Sequence, residues 1–164
     1  MIKLKQKTFI YLSFLFSTIV SVIIYSLFYN SIQKVEKLNT KNYIIKNLEN
    51  NNSEYPYYID YSMIKNNKFY ISGWLVKRGE DNILINRVIV IKDGKGNYYK
   101  IFTKSYINEN VSAHFNNEFD YYRTGLTGKG KLNKKMAPPF IIHFLVRENN
   151  KNILINTNKI IEGN

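Results

Sequence analysis

Hydrophobic and polar positions change rhythm three times along this chain. From Thr8 to Tyr29 the sequence TFIYLSFLFSTIVSVIIYSLFY carries no charged residue. At about 1.5 Å per residue these positions make a helix of roughly 33 Å, enough to cross the hydrocarbon core of a bilayer. Ser13, Ser17, Thr18, Ser21 and Ser26 are compatible with it, because a hydroxyl can bond a carbonyl one turn back. The predicted element is therefore a transmembrane helix over residues 8–29, preceded by a basic tail, 1–7, with Lys3, Lys5 and Lys7. The run is longer than the core of an export signal, and no Ala-x-Ala cleavage pattern follows it. No cysteine follows to take a lipid either. The expectation is a retained signal-anchor in a single-pass protein. Lysines flank the run on both sides, so the positive-inside count does not decide orientation; the expected topology has the tail inside and the rest of the chain outside.

Beyond the apolar run, Ile32, Val35, Leu38, Ile45 and Leu48 recur at helical spacing with lysines between them. This predicts a short helical stalk within residues 30–54. Val35, Leu38, Asn42 and Ile45 also match two heptads of a parallel dimer seam, which makes self-association through the helix one partner expectation. Asn50-Asn51-Asn52-Ser53 followed by Tyr55-Pro56 interrupts the pattern and is expected to be a linker.

From residue 55 onward the rhythm becomes that of strands. Runs of strand character cover Tyr57–Ser62, Lys68–Lys77, Ile83–Lys92, Asn97–Lys104, Thr124–Lys131, Phe140–Arg147 and Asn152–Thr157. In the sixth, Phe140, Ile142, Phe144 and Val146 alternate with Ile141, His143, Leu145 and Arg147, so one face is expected in the core and His143 on the exposed side. Asp93-Gly94-Lys95-Gly96 predicts a tight hairpin. Val111, Phe115 and Phe119 lie four residues apart, predicting a short helix over one end of the sheet. Seven short strands with polar turns predict an all-β distal domain, 55–164, built as a small antiparallel β-sandwich or a partly open barrel.

Composition narrows the functional classes. At 164 residues the chain accommodates one domain and an anchor. The absence of cysteine removes disulfides, thiolate metal sites and cysteine nucleophiles together. The 14 Tyr and 10 Phe suit half-buried pleated surfaces. A net charge of +12 concentrates anions near the protein, so anionic lipid, phosphate-bearing wall polymer and nucleic acid are the candidate partners. For an outward-facing domain nucleic acid ranks last among them.

The order of several motifs carries a resemblance. Phe69-Tyr70-Ile71-Ser72-Gly73-Trp74 opens the domain, Asp93-Gly94 forms a central hairpin, and Asn110-Val111 precedes Phe115. Thr124-Gly125-Leu126 and a closing Thr157-Asn158-Lys159-Ile160-Ile161 follow. Over residues 57–161 this resembles a β-sandwich module found as an extracytoplasmic appendage of bacterial membrane proteins that handle cell-surface polysaccharide. The resemblance implies a sandwich fold and contact with polysaccharide or its machinery. The chain departs from that pattern at Glu109, Asn110 and Leu126, where the module has an arginine, an acidic residue and a phenylalanine.

Candidate chemistry is sparse. Gly125 to Lys131 matches the glycine and lysine spacing of a phosphate loop, but Leu132 occupies the Ser/Thr position and no helix follows, so the stretch reads as strand and turn. Residues 121–147 hold Arg123, Lys129, Lys131, Lys134, Lys135 and Arg147 with no acidic side chain, while Gly128 and Gly130 offer backbone N–H groups. Arg123, Lys129, Lys131, Lys134 and Lys135 form the candidate anion-binding set. Trp74, the sole tryptophan, is the candidate stacking platform for a sugar ring. His114 and His143 lack partners at metal-ligand spacing, and no nucleophile elbow or paired carboxylates stand out. The functional expectation is a non-catalytic, cofactor-free surface domain that binds an anionic or glycan envelope polymer, or docks to envelope machinery. A structural subunit of a membrane or pilus-like complex is the first alternative, a nucleic-acid-binding module the second.

Overall fold

The computed structural model describes residues 2–47, 54–81 and 86–161, in two units that divide between Gln33 and Lys34. The first is one helix, α1 (Ile2–Ile32), whose Lys7–Ile32 portion is long and apolar enough to cross a membrane. Thr18 Oγ1 donates to Phe14 O at 3.0 Å and Ser21 Oγ to Ser17 O at 2.9 Å, which is how the hydroxyls are accommodated.

The second unit is two sheets. Its strands are β1 (Glu36–Lys37), β2 (Ile44–Asn47), β3 (Tyr57–Lys65), β4 (Lys68–Leu75), β5 (Asn86–Lys92), β6 (Tyr98–Lys100), β7 (Phe102–Tyr106), β8 (Gly125–Lys131), β9 (Phe140–Glu148) and β10 (Lys151–Ile161). A short helix, α2 (Glu109–His114), precedes β8. The larger sheet has the order β1-β6-β5-β9-β10-β2 and the smaller β3-β4-β8-β7. Among the described strands every pair is antiparallel except β10 with β2. Each of the seven predicted runs overlaps a strand.

The two sheets bury a common core. Phe69, Ile71 and Leu75 of β4 and Leu126 of β8 meet Ile89 and Ile91 of β5 and Phe140, Ile142, Phe144 and Val146 of β9. Each such side chain contributes roughly 1.5–3 kcal/mol by leaving water. Asp93 fixes the predicted hairpin: its Oδ1 accepts from the Asn97 N–H at 2.8 Å and the Lys95 N–H at 3.1 Å, while Gly96 takes φ +80°. Over one end of the sheets, Val111 and Phe115 of the α2 region join Val76, Phe119 and Tyr121 in a separate cluster; Phe119 lies beyond the helix rather than on it.

Two expectations are overturned. The helical stalk does not form: α1 ends at Ile32, and Lys34 to Asn47 belong to the β unit. Val35 packs against the core between the sheets, and Glu36 and Lys37 pair with β6. Leu38 and Tyr43 pack on the outer face of the larger sheet, against Val90, Tyr98, Leu145 and Leu154. Tertiary burial here overrides a local spacing that suited a helix, and the heptad seam vanishes with it. Leu48 and the 50–53 linker lie outside the described residues. His143, expected to be exposed, is 1% exposed, because the Leu38–Tyr43 segment covers the second face of β9.

Candidate functional site

The outer face of the smaller sheet is where the sequence's chemistry collects. Core-facing and outward-facing residues alternate along its strands, and register aligns the outward ones in four cross-strand rows. The first holds Lys65, Lys68 and Lys131, extended by Lys34, which bridges to Lys131. Next comes Met63–Tyr70–Lys129–Phe102, followed by Tyr61–Ser72–Thr127–Lys104. The last is Tyr58–Trp74–Gly125–Tyr106. With strands about 4.8 Å apart and residues rising about 3.3 Å, the face measures roughly 15 by 20 Å.

Its chemistry is graded from one edge to the other. At the aromatic edge Trp74 stacks on Tyr58 at 6.4 Å, and its other side meets His114 and Phe115 at 6.1 Å each. Trp74 thus anchors the α2 region while leaving Tyr58 58% exposed beside it. A bulge between Ile59 and Tyr61 brings Asp60, the face's one carboxylate among the described residues, toward Ser72 Oγ at 3.2 Å. Tyr106 Oη lies 3.4 Å from both the Asp60 carboxylate and Ser72 Oγ. To get there the Tyr106 ring lies across Gly125, where a Cβ would stand 2.6 Å from the ring. Gly125 is therefore glycine for close approach. In the middle of the face Lys129 Nζ sits 5.1 Å over the Tyr70 ring and Lys104 Nζ 5.7 Å over Phe102. Such contacts hold ammonium groups over rings.

The structure divides the predicted anion set. Lys129, Lys131 and Trp74 share this face. Lys134 and Lys135 are exposed in the β8–β9 connection, where the Lys135 carbonyl accepts from Lys95 Nζ at 2.9 Å beside the β5–β6 hairpin. Arg123 is exposed before β8, at the opposite end of that strand, and its carbonyl accepts from the buried Arg87 guanidinium at 3.2 Å. Gly128 and Gly130 are buried and paired within the sheet, and a Cβ on either would come within 2.7 Å of Ile101. They serve core packing and present no anion cradle. Sequence reasoning missed Lys34, Lys65, Lys68 and Lys104 and the tyrosines at 58, 61, 70 and 106; strand alternation in β3, β4 and β7 was the available signal. Of the positions that depart from the resembled module, Leu126 lies in the core, and Glu109 and Asn110 are exposed on α2.

Elsewhere several polar side chains are committed to structure. Glu148 pairs with Lys77 and accepts from Tyr55 Oη at 3.0 Å. Burial acts to raise the Glu148 pKa, but the Lys77 ammonium and the Tyr55 hydroxyl together hold it below the usual carboxylate value. Burial and the same carboxylate push the Tyr55 hydroxyl up. Burial lowers the Arg87 guanidinium to about 10, even though Nη1 donates to Leu75 O at 2.7 Å. Asp120 accepts from the Tyr122 N–H, and His114 packs on Trp74 and Phe115. An open groove of about 500 Å³ runs between Lys37–Lys41 and Gly96–Tyr98 on the other sheet. Among the described residues no three His, Asp or Glu side chains are placed to hold a metal ion. Comparison with family models, with curated proteins and with solved structures finds no match to this chain.

Proposed function

We propose that this protein is a non-catalytic, membrane-anchored envelope module that binds an extended anionic or glycan polymer on the outer face of its smaller sheet. The observation that carries the reading is the face itself, where six aromatic side chains and lysines 104 and 129 surround a single carboxylate among the described residues. Flat rings such as those of Tyr58 and Trp74 stack on the apolar faces of sugars. Asp60, Ser72 and Tyr106 supply acceptors and donors for hydroxyl groups, and the lysines attract phosphate or carboxylate. The helix serves as the signal-anchor, with the distal unit outside. The resemblance to extracytoplasmic modules of polysaccharide-handling proteins points the same way.

Co-sedimentation of the detergent-solubilised full chain with wall polymer tests the reading. Lys104→Gln with Lys129→Gln is expected to weaken retention about ten-fold or more at low salt, with a loss that shrinks as salt rises. Tyr70→Ala is expected to weaken it at all salt concentrations. Lys134→Gln with Lys135→Gln, away from the face, leaves retention unchanged. Equal effects of the two lysine pairs would sink the proposal, because they would reduce binding to bulk charge. Rings interleaved with lysines also suit single-stranded nucleic acid, and orientation separates the two ligands. A cysteine at exposed Ser105 is expected to react with a membrane-impermeant maleimide in intact cells; protection until lysis transfers the face to a cytoplasmic polyanion.

A further inference from the structure

The row Lys34–Lys131–Lys68–Lys65 is an arrangement that folding alone disfavours. Like charges directly opposite across strands repel, and register sets Lys65 against Lys68 and Lys68 against Lys131, with Lys34 bridged to Lys131. Among the described residues, none of the ion pairs formed by the domain's carboxylates reaches this row; they engage Lys46, Lys77 and Lys100. Three of the four lysines are exposed and Lys68 is half-buried. Four ammonium groups thus line one edge, across roughly 15 Å.

Chain length says what anion lies within reach. Lys34 is two residues beyond Ile32, where the membrane-crossing stretch ends. Two residues span at most about 7 Å, so with the helix inserted Lys34 stays at the level of the lipid headgroups at any angle the distal unit takes. We infer that this lysine row docks on the phosphates of anionic phospholipid, turning the tethered domain into one held in a defined pose against the bilayer. The inference rests on membrane insertion of α1 and is independent of what the aromatic face binds. It holds on either side of the membrane. Lys34 supplies proximity, and Lys65, Lys68 and Lys131 supply the charge that makes the pose specific.

The test uses the full chain in lipid nanodiscs with an environment-sensitive fluorophore on a single cysteine, since the native chain has none. Exposed Met63, one row in from the lysines, reports the edge, and Ser105 serves as the distant control. With phosphatidylglycerol present, the Met63→Cys probe is expected to shift to the blue and be shielded from an aqueous quencher. Phosphatidylcholine alone, or high salt, abolishes both effects, and the Ser105→Cys probe stays wet throughout. A basic side chain near an anionic leaflet is worth about five-fold in the docking equilibrium, so Lys65→Gln, Lys68→Gln and Lys131→Gln together reduce it on the order of 100-fold. Unchanged circular dichroism verifies that the triple variant is folded. Identical probe behaviour in neutral and anionic discs, or an anionic response that survives the triple substitution, overturns the inference. Shielding of the Met63→Cys probe by wall polymer in neutral discs, with no response to phosphatidylglycerol, overturns it as well and assigns the row to the polymer face.

Discussion

His143 should make the fold sensitive to mild acid. Burial lowers its pKa from 6.5 to about 4; the Ile141 carbonyl, 3.4 Å from Nδ1, acts to raise it, and Lys92 acts to lower it further. The Tyr98 ring stands edge-on at 5.2 Å, and Val90 and Asn156 flank it in register. As the pH falls, the unfolded chain takes up the proton first. The stability due to neutral His143 is therefore complete above about pH 6.5 and is lost as the pH falls toward about 4. The full loss is about 3 kcal/mol at 1.36 kcal/mol per unit, of which a little under half is gone by pH 5.5. Against a typical total of 5–15 kcal/mol this is a large fraction.

Urea unfolding of the full chain in detergent, followed by Trp74 fluorescence, measures the effect at a series of pH values. Wild type is expected to lose about 1 kcal/mol between pH 8 and 5.5, and His143→Phe, which keeps a ring against Tyr98, is expected to lose almost none. Only the slope matters, so a change in absolute stability from the substitution does not obscure the result. Glu148 does not confuse the window, since its carboxyl sits below the ordinary value of 4.5 and its contribution is lost only in stronger acid. Equal slopes for wild type and His143→Phe would refute the reasoning and place a solvated imidazole at this position.

Three further outcomes follow from the same geometry. Lys68→Gln removes two cross-strand repulsions; at about 6 Å each is worth about 0.7 kcal/mol in bulk water and about half of that at physiological salt. The variant is expected to melt about 2 °C higher in detergent, with a gain that shrinks as salt is added. Gly125→Ala drives a methyl into the Tyr106 ring and is expected to cost about 1–3 kcal/mol, and to weaken polymer retention as strongly as Tyr106→Ala. Glu148→Gln leaves the half-buried Lys77 without its main counterion and is expected to cost about 2 kcal/mol in urea unfolding at pH 7. That difference from wild type disappears as the pH falls through the depressed Glu148 value, where wild type loses the same charge.

Much of the fold was legible because β9, β5 and the Asp93–Gly96 hairpin state their structure locally, through period-two alternation and turn residues. His143 was misread for the complementary reason. Alternation separates the two faces of a strand but does not reveal that the far face is also covered, and the cover over β9 comes from Leu38 and Tyr43, about a hundred positions earlier. The candidate site failed in a similar way. A run of basic residues near one another in sequence pointed to Lys134 and Lys135, yet those sit in a loop beside Lys95. The lysines that do line up are brought together by register.

The supposed stalk and the lysine row are two consequences of one packing event. Between β7 and β6 the chain crosses from one sheet to the other at Ile101, whose N–H donates to Ile89 O at 3.2 Å. Lys131 is thereby left without a β7 partner, since β7 begins opposite Lys129. The segment after the helix fills that gap: Val35 enters the core against Gly130, which has no side chain to obstruct it. Alternation then turns Lys34 outward beside Lys131. A helical stalk would leave Val35 in water and the sheet corner open, so the burial that defeats the helix also places a fourth lysine in the row. Val35→Asp tests this link, because it is expected to open the corner and free Lys34 from Lys131. In anionic nanodiscs the Met63→Cys probe should then lose part of its shielding although no lysine has been changed; full retention with the domain still folded would separate the row from the corner.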